Sequence, residues 1–264
     1  MQERRHSFYV SQATVRLEIL DENNKTVSWA SGFVVDEHDF LSLYTCWHVV
    51  TGVDPHNIPV RAPPKRNRIK VHTQTIRKIS ETLTGIGGLT MFDVDLYDQT
   101  GTPIWRQGAS ELDVDNATLP PPFWDCVRID VEKSRNLFAN VFKPCDEKFG
   151  GLTISDDAYI VGYPYGFSPN PIGPVPIFLR RTVASDGTSG PFILLDGSGV
   201  QGMSGGPVVT KIDGEWRLAG IYNGAIFPEA TFYSSELEKR KWESRLPLGK
   251  YTMSMVARHS VGAT

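Results

Sequence analysis

The segment Gly202-Met203-Ser204-Gly205-Gly206-Pro207 sets a serine among glycines, directly before the apolar run Val208–Lys211. Residues of that kind suit a nucleophile for two reasons. The missing side chains let a substrate carbonyl approach the backbone closely. They also let the Gly202 and Ser204 N–H groups converge on one point, as binding an oxyanion requires. A serine hydroxyl is a weak nucleophile without an adjacent base, and the base needs a carboxylate to orient it. Six histidines are available: His6, His38, His48, His56, His72 and His259. His48 stands out, because Leu43-Tyr44-Thr45-Cys46-Trp47-His48-Val49-Val50 places it just past a strand, where a loop end can hold the ring rigidly. The acid candidate is Asp125, which enters the alternating run Cys126-Val127-Arg128-Ile129-Asp130-Val131 and can be buried at its start.

The order His48, Asp125, Ser204 has gaps of 77 and 79 residues, so only long-range strand pairing can assemble the three. Candidate strands are Thr14–Leu20, Ser31–Val35, Phe40–Thr45, Ile69–Thr75, Cys126–Val131, Ala158–Gly162, Ile177–Arg180, Phe192–Leu195, Val208–Lys211 and Trp216–Tyr222. They are rich in Val, Ile, Phe and Tyr, and many alternate apolar with polar. Helical periodicity is scarce. A short helix is expected over Ser235–Arg245, where Ser235 and Glu238 have capping-box spacing, and a second from about Lys250 to Arg258. Many short strands and few helices indicate an all-β antiparallel barrel or sandwich. The irregular stretch Glu132–Gly151 leaves about five candidate strands on each side. The expected division is therefore an N-terminal barrel over residues 1–132, a linker over 133–151 and a C-terminal barrel over 152–264.

Composition narrows the function. With 264 residues, 40% apolar and 22% charged, the chain is long and apolar enough for a sizeable core, which excludes a disordered chain. No apolar run approaches the roughly 18 residues of a membrane span. The start, Met1-Gln2-Glu3-Arg4-Arg5-His6-Ser7, does not have the pattern of an export signal. Three cysteines, Cys46, Cys126 and Cys145, are too few for a disulfide framework and fit buried thiols in a reducing compartment, so a cytoplasmic location is expected. A net charge of −3 offers no global field for nucleic acid or anionic lipid. Arg61–Lys78 carries seven basic residues and no acidic one, but no aromatic stacking pattern accompanies them. A solvated hairpin, partnered by the acidic stretches Asp93–Asp98 and Glu111–Asp115, is the expectation there.

Taken together, these segments resemble the trypsin-like serine peptidases, and among them the bacterial branch related to the HtrA/Deg proteases. Thr45-Cys46-Trp47-His48-Val49 is similar to the family's histidine motif, Asp125-Cys126-Val127-Arg128-Ile129 to its aspartate strand, and Gly202–Pro207 to its nucleophile motif. Ser31-Gly32-Phe33-Val34-Val35 and Ile160-Val161-Gly162-Tyr163-Pro164-Tyr165-Gly166 are lesser matches, and Asp196 matches an aspartate found in the HtrA branch. The resemblance covers roughly Thr14 to Gly224. It implies two antiparallel six-stranded β-barrels with a short C-terminal helix. It also implies a Ser204–His48–Asp125 triad, an oxyanion hole from the Gly202 and Ser204 amides, and a protein or peptide substrate, with no cofactor, metal, membrane or nucleic acid involved. Met203 stands where secreted relatives carry the aspartate that pairs with a newly cut N-terminus, so activation without cleavage is expected. The pocket is expected from Ser198, Tyr222, Asn223 and Gly224. With no acid at Ser198, it should take a small or apolar side chain. The HtrA proteins add a PDZ domain of roughly 90 residues, which is not expected in the 40 residues after Gly224.

Four other arrangements were weighed. A Gly-x-Ser-x-Gly elbow of an α/β-hydrolase requires βα alternation and a histidine after the serine, for which only His259 is available. Cys46 as nucleophile has no glycine cradle. Cys46, His48, Cys126 and Cys145 lack the spacing of a zinc site. A trypsin-like fold used purely as a binding or regulatory module would be expected to carry a substituted triad, and the three residues here are intact.

Overall fold

The computed structural model describes residues 9–37, 40–53, 65–78, 84–107, 125–131, 137–143, 151–170, 173–185, 193–226 and 248–253. After a helical turn over 9–13, the chain forms β1 (Thr14–Asp21), β2 (Thr26–Asp36) and β3 (Leu41–Thr45). There follow the short helix α1 (Trp47–Thr51), then β4 (Arg66–Lys78), β5 (Thr84–Asp95), β6 (Arg106–Gln107) and β7 (Val127–Val131). These seven strands make one sheet, in the order β5-β4-β1-β2-β3-β7-β6. The second sheet runs β10-β13-β12-β11-β8-β9. Its strands are β8 (Asp157–Gly162), β9 (Ile177–Thr182), β10 (Ile193–Leu195), β11 (Pro207–Ile212), β12 (Glu215–Ile226) and β13 (Leu248–Met253). Ala184 N–H donates to Leu194 C=O and Asp196 N–H to Thr182 C=O, so β9 meets β10 and the second sheet closes on itself. The architecture is all-β and chymotrypsin-like, with two antiparallel barrels. Closure of the second leaves it few unpaired edges.

All ten strands expected from alternation and β-branched content are present, most of them a few residues longer than the pattern shows. The first core gathers Leu17, Ile19, Leu43, Ile69 and Ile129, and the second Ile160, Ile193, Leu195 and Val208, all at most 1% exposed. Three strands had no sequence signal strong enough to find them: β5, the two-residue β6 and β13. β5 begins Thr84-Gly85-Ile86-Gly87-Gly88, where glycines dilute the pattern, and its Leu89 and Met91 face outward. The helix expected from about Lys250 is corrected. Residues 250–253 belong to β13, which fills the gap between β10 and β12 and gives both neighbours a hydrogen-bonding partner. The helix expected over Ser235–Arg245 lies outside the described residues, as do Cys145 and the acidic stretch Glu111–Asp115.

The two sheets are joined through β2. Ser31, fully buried, donates its hydroxyl to Gly202 C=O (2.8 Å) and accepts from Tyr163 N–H (2.9 Å). Its own N–H donates to Ser204 C=O at 3.0 Å, and its C=O accepts from the Thr45 hydroxyl at 2.9 Å. One residue thus references the serine loop, the end of β8 and the end of β3 to a single strand. Ser31→Ala leaves two buried backbone groups unpaired, at about 1–3 kcal/mol each. Urea unfolding should report a loss of about 2–4 kcal/mol at unchanged slope, and a loss below about 0.5 kcal/mol would contradict this role.

Candidate active site

His48 is positioned by the junction of β3 and α1. Cys46 is still extended (φ −75, ψ 149), and the chain then turns at once into the helix, which Gly52 closes in the left-handed region. β3 pairs with β7 so that Thr45 faces Val127. The residues just beyond each strand end are therefore brought side by side, which places Asp125 next to His48. Asp125 is 1% exposed and accepts twice from the histidine: from its backbone N–H (2.9 Å) and from Nδ1 (2.7 Å). With Nδ1–H given to the carboxylate, Nε2 is left as the basic nitrogen of a neutral ring. Asn223, buried at the bend of β12, donates its side-chain amide to Asp125 C=O at 2.9 Å.

The serine loop is wedged against the same corner. A Cβ on Gly205 would meet Thr45 Oγ1 at 2.2 Å and Ser31 C=O at 2.4 Å, and its φ of +83 is itself a glycine conformation. Gly205 N–H donates to Tyr222 C=O (2.8 Å), which also accepts from the Cys46 thiol at 3.3 Å. The serine segment therefore rests on the two residues that lead into the histidine helix. Ser204 is half-buried, while Met203 beside it is fully buried.

Two peptide planes next to Ser204 are oriented by their carbonyls. Gln201 C=O accepts from Tyr165 N–H at 2.6 Å, and Met203 C=O accepts from Gly206 N–H at 3.0 Å. In a trans peptide the C=O and the following N–H point in opposite directions. The N–H groups of Gly202 and Ser204 are thus turned away from those contacts, and among the described residues neither donates to a backbone carbonyl.

The other expected residues are placed as follows. Ser198 C=O is gripped by Arg181 through Nη2 (2.7 Å) and Nε (3.2 Å). Tyr222 is buried, with its ring against Gly199 and its oxygen accepting from Gly199 N–H at 2.7 Å. Burial pushes this phenol up to about 12, so it stays neutral. Gly224 lies in β12 with φ +125. Asp196 accepts from Thr182 N–H at 2.9 Å and so helps to close the second barrel. Cys126 is buried, and desolvation first, with the Asp125 charge second, raises its thiol well above the usual range and keeps it unreactive. Ligand-type atoms of Cys46, His48 and Asp125 lie within 4.8 Å of one another. A metal there would have to displace the His48–Asp125 bond, so the set serves the pair better than an ion.

The basic stretch also finds partners. Arg68 pairs with Asp95 at 2.7 Å and lies 3.8 Å from Asp93, the acidic strand expected to face it. Arg66 has a role that its sequence context did not reveal: its Nη1 donates to His48 C=O at 2.9 Å and also to Val49 C=O. His48 C=O also accepts from Gly52 N–H, so the cation adds a second bond there and reaches Val49 C=O, at the negative end of α1.

A family model described as a trypsin-like peptidase domain matches residues 30–221. The chain belongs to the trypsin-like peptidase family. Among the solved structures that share its fold are two proteases. A serine endoprotease from Yersinia pestis is 14% identical, with a TM-score of 0.53, over 98% of this chain and 64% of that one. The HtrA-type protease AlgW, in an alanine variant with a tripeptide, is 14% identical, with a TM-score of 0.51, over 98% and 62%. This trypsin-like chain therefore spans less than two thirds of either relative's length. No curated protein sequence matches it. Among the described residues no helix is long and apolar enough to cross a membrane.

Arg66→Met should lower stability by about 1–3 kcal/mol, the range for a charged hydrogen bond to buried acceptors. Lys65→Met next to it, on an exposed side chain, should change stability by less than about 0.5 kcal/mol. Equal effects in thermal or urea unfolding would contradict the assignment.

Proposed function

We infer that the protein is a serine endopeptidase that works through Ser204, His48 and Asp125. The observation that carries this reading is the buried 2.7 Å His48–Asp125 bond, which leaves Nε2 basic, set beside a serine loop with two N–H groups that donate to no backbone carbonyl among the described residues. In the general triad mechanism, His48 Nε2 takes the Ser204 proton as Oγ bonds to the substrate carbonyl carbon. The resulting oxyanion is held by the Gly202 and Ser204 amides. Collapse breaks the C–N bond, and the proton passes from His48 to the leaving amine. Water then repeats the sequence on the acyl-enzyme, releasing the acid and restoring Ser204. Asp125 keeps the imidazole in one tautomer and offsets its transient positive charge.

Several further features support the details. Fully buried Met203 leaves no partner for a newly cut N-terminus, which fits a catalyst that needs no proteolytic activation. The Tyr222 ring lies against Gly199, beside the Ser198 position proposed for the pocket base. That arrangement favours a small apolar residue at the cleavage site. Two buried cysteines in the thiol form, Cys46 and Cys126, fit a reducing, cytoplasmic setting. A protein or peptide is the substrate.

Intact mass after incubation with a fluorophosphonate tests the central role. One adduct is expected on the wild type and none on Ser204→Ala or His48→Ala; a folded wild type that stays unlabelled would overturn the reading. In a peptide series varied only at the cleavage-site residue, Ala and Val should exceed Arg, Lys and Phe by at least about tenfold in kcat/KM. The reverse order would overturn the pocket assignment.

A further inference from the structure

The Gln201–Gly202 peptide owes its orientation to Tyr165 N–H, and Tyr165 is itself under constraint. It is a non-glycine residue in the left-handed region (φ 51, ψ 25), within a 3-10 turn over Pro164–Gly166. Such a conformation costs of order 1–3 kcal/mol and persists only where the surroundings enforce it. Part of the enforcement comes from the other sheet. Gly166 lies against the Trp29 indole, within 2.5 Å of where its Cβ would be. Gly166 C=O accepts from Arg16 Nη1 at 3.1 Å, and the Arg16 guanidinium stacks 5.0 Å from the centre of the same indole.

Arg16 is held in turn. Its Nη2 donates to His72 Nδ1 at 2.9 Å, and His72 Nε2 donates to Glu18 Oε2 at 3.0 Å. A guanidinium only donates and a carboxylate only accepts, so His72 is neutral, with its proton on Nε2. Burial foremost holds His72 below its usual pKa, and the Arg16 and Lys70 cations act in the same direction against Glu18. A neutral His72 is thus an acceptor available to Arg16 throughout the neutral range. The chain of contacts runs from Glu18 and His72 through Arg16 to Gly166, then through Tyr165 N–H to Gln201 C=O, and ends at the Gly202 amide.

We propose that Arg16 is a positioning residue for the oxyanion hole, acting from the first barrel by clamping the Tyr163–Phe167 turn that aims the Gly202 N–H. The proposal rests on the reading of Gly202 as an oxyanion donor. Arg16 touches neither Ser204 nor His48 in any described bond, so its effect falls on the chemical step and spares the encounter with substrate. A guanidinium can span His72 Nδ1 and Gly166 C=O together, whereas a lysine ammonium reaches one at a time.

The test is the kinetics of fluorophosphonate labelling, resolved into the limiting rate and the half-saturating concentration, with the melting temperature of each variant. Arg16→Met should lower the limiting rate about 10- to 100-fold, less than the loss of a whole donor, and leave half-saturation within about twofold. Arg16→Lys should fall between it and wild type. If Arg16→Met does not fold, the Lys variant carries the test with an expected loss of about three- to tenfold. A wild type that labels beside an equally reactive Arg16→Met overturns this proposal alone. So does a variant whose half-saturating concentration rises and melting temperature falls in step with the loss of rate, because that pattern marks a merely structural role. An unlabelled wild type overturns the functional reading and this proposal with it.

Discussion

A single buried hydroxyl, that of Ser31, holds together stretches of chain 171 and 132 residues apart, and the site's geometry is built from that point. Its strand carries the serine loop through Gly202 and Ser204, the end of β8 through Tyr163, and the end of β3 through Thr45. The histidine leaves from the end of β3, and the proposed oxyanion peptide is braced by the turn that follows β8. The proposed base, nucleophile and oxyanion donors therefore share one reference frame even though they belong to different sheets. Catalytic groups must be held within a fraction of an ångström, and buried, fully satisfied hydrogen bonds are the means available to an all-β scaffold.

The second requirement is a carboxylate that can remain charged out of water. Asp125 is nearly inaccessible, and burying an unpaired carboxylate would cost several kcal/mol. Two N–H groups from the same residue, His48, offset that cost, and Asn223 fixes the backbone beside it. The exposed pairs elsewhere are of another kind. Arg180–Asp157 at 2.7 Å and Arg217–Glu215 at 2.8 Å lie on the surface, where screening and side-chain entropy leave little net gain. Only the buried contacts constrain the site.

Strand positions were legible because half-buried strands impose alternation on runs such as Thr14–Leu20 and Cys126–Val131. The proximity of His48 to Asp125 was legible only as a resemblance, since pairing register across 77 residues leaves no local mark. Glycine-rich β5 and the end strand β13 escaped detection, the first because glycine has no side chain to pattern. Lys250–Met253 was expected to be helical, and pairing with two neighbouring strands overrode any local preference there. Arg66 and Arg16 could not be distinguished from solvated cations, because a charged side chain that satisfies a carbonyl reads in sequence like one that faces water.

The account's central claim is that Ser204, His48 and Asp125 act as one unit. The most direct measurement is kcat/KM for hydrolysis of a labelled protein substrate by Ser204→Ala, His48→Ala, Asp125→Asn and the combined variant. The account predicts that the serine and histidine losses, each on the order of 10⁴-fold or more, are nearly as large singly as together. Losses that multiply, or a Ser204→Ala variant that retains wild-type turnover, would contradict it.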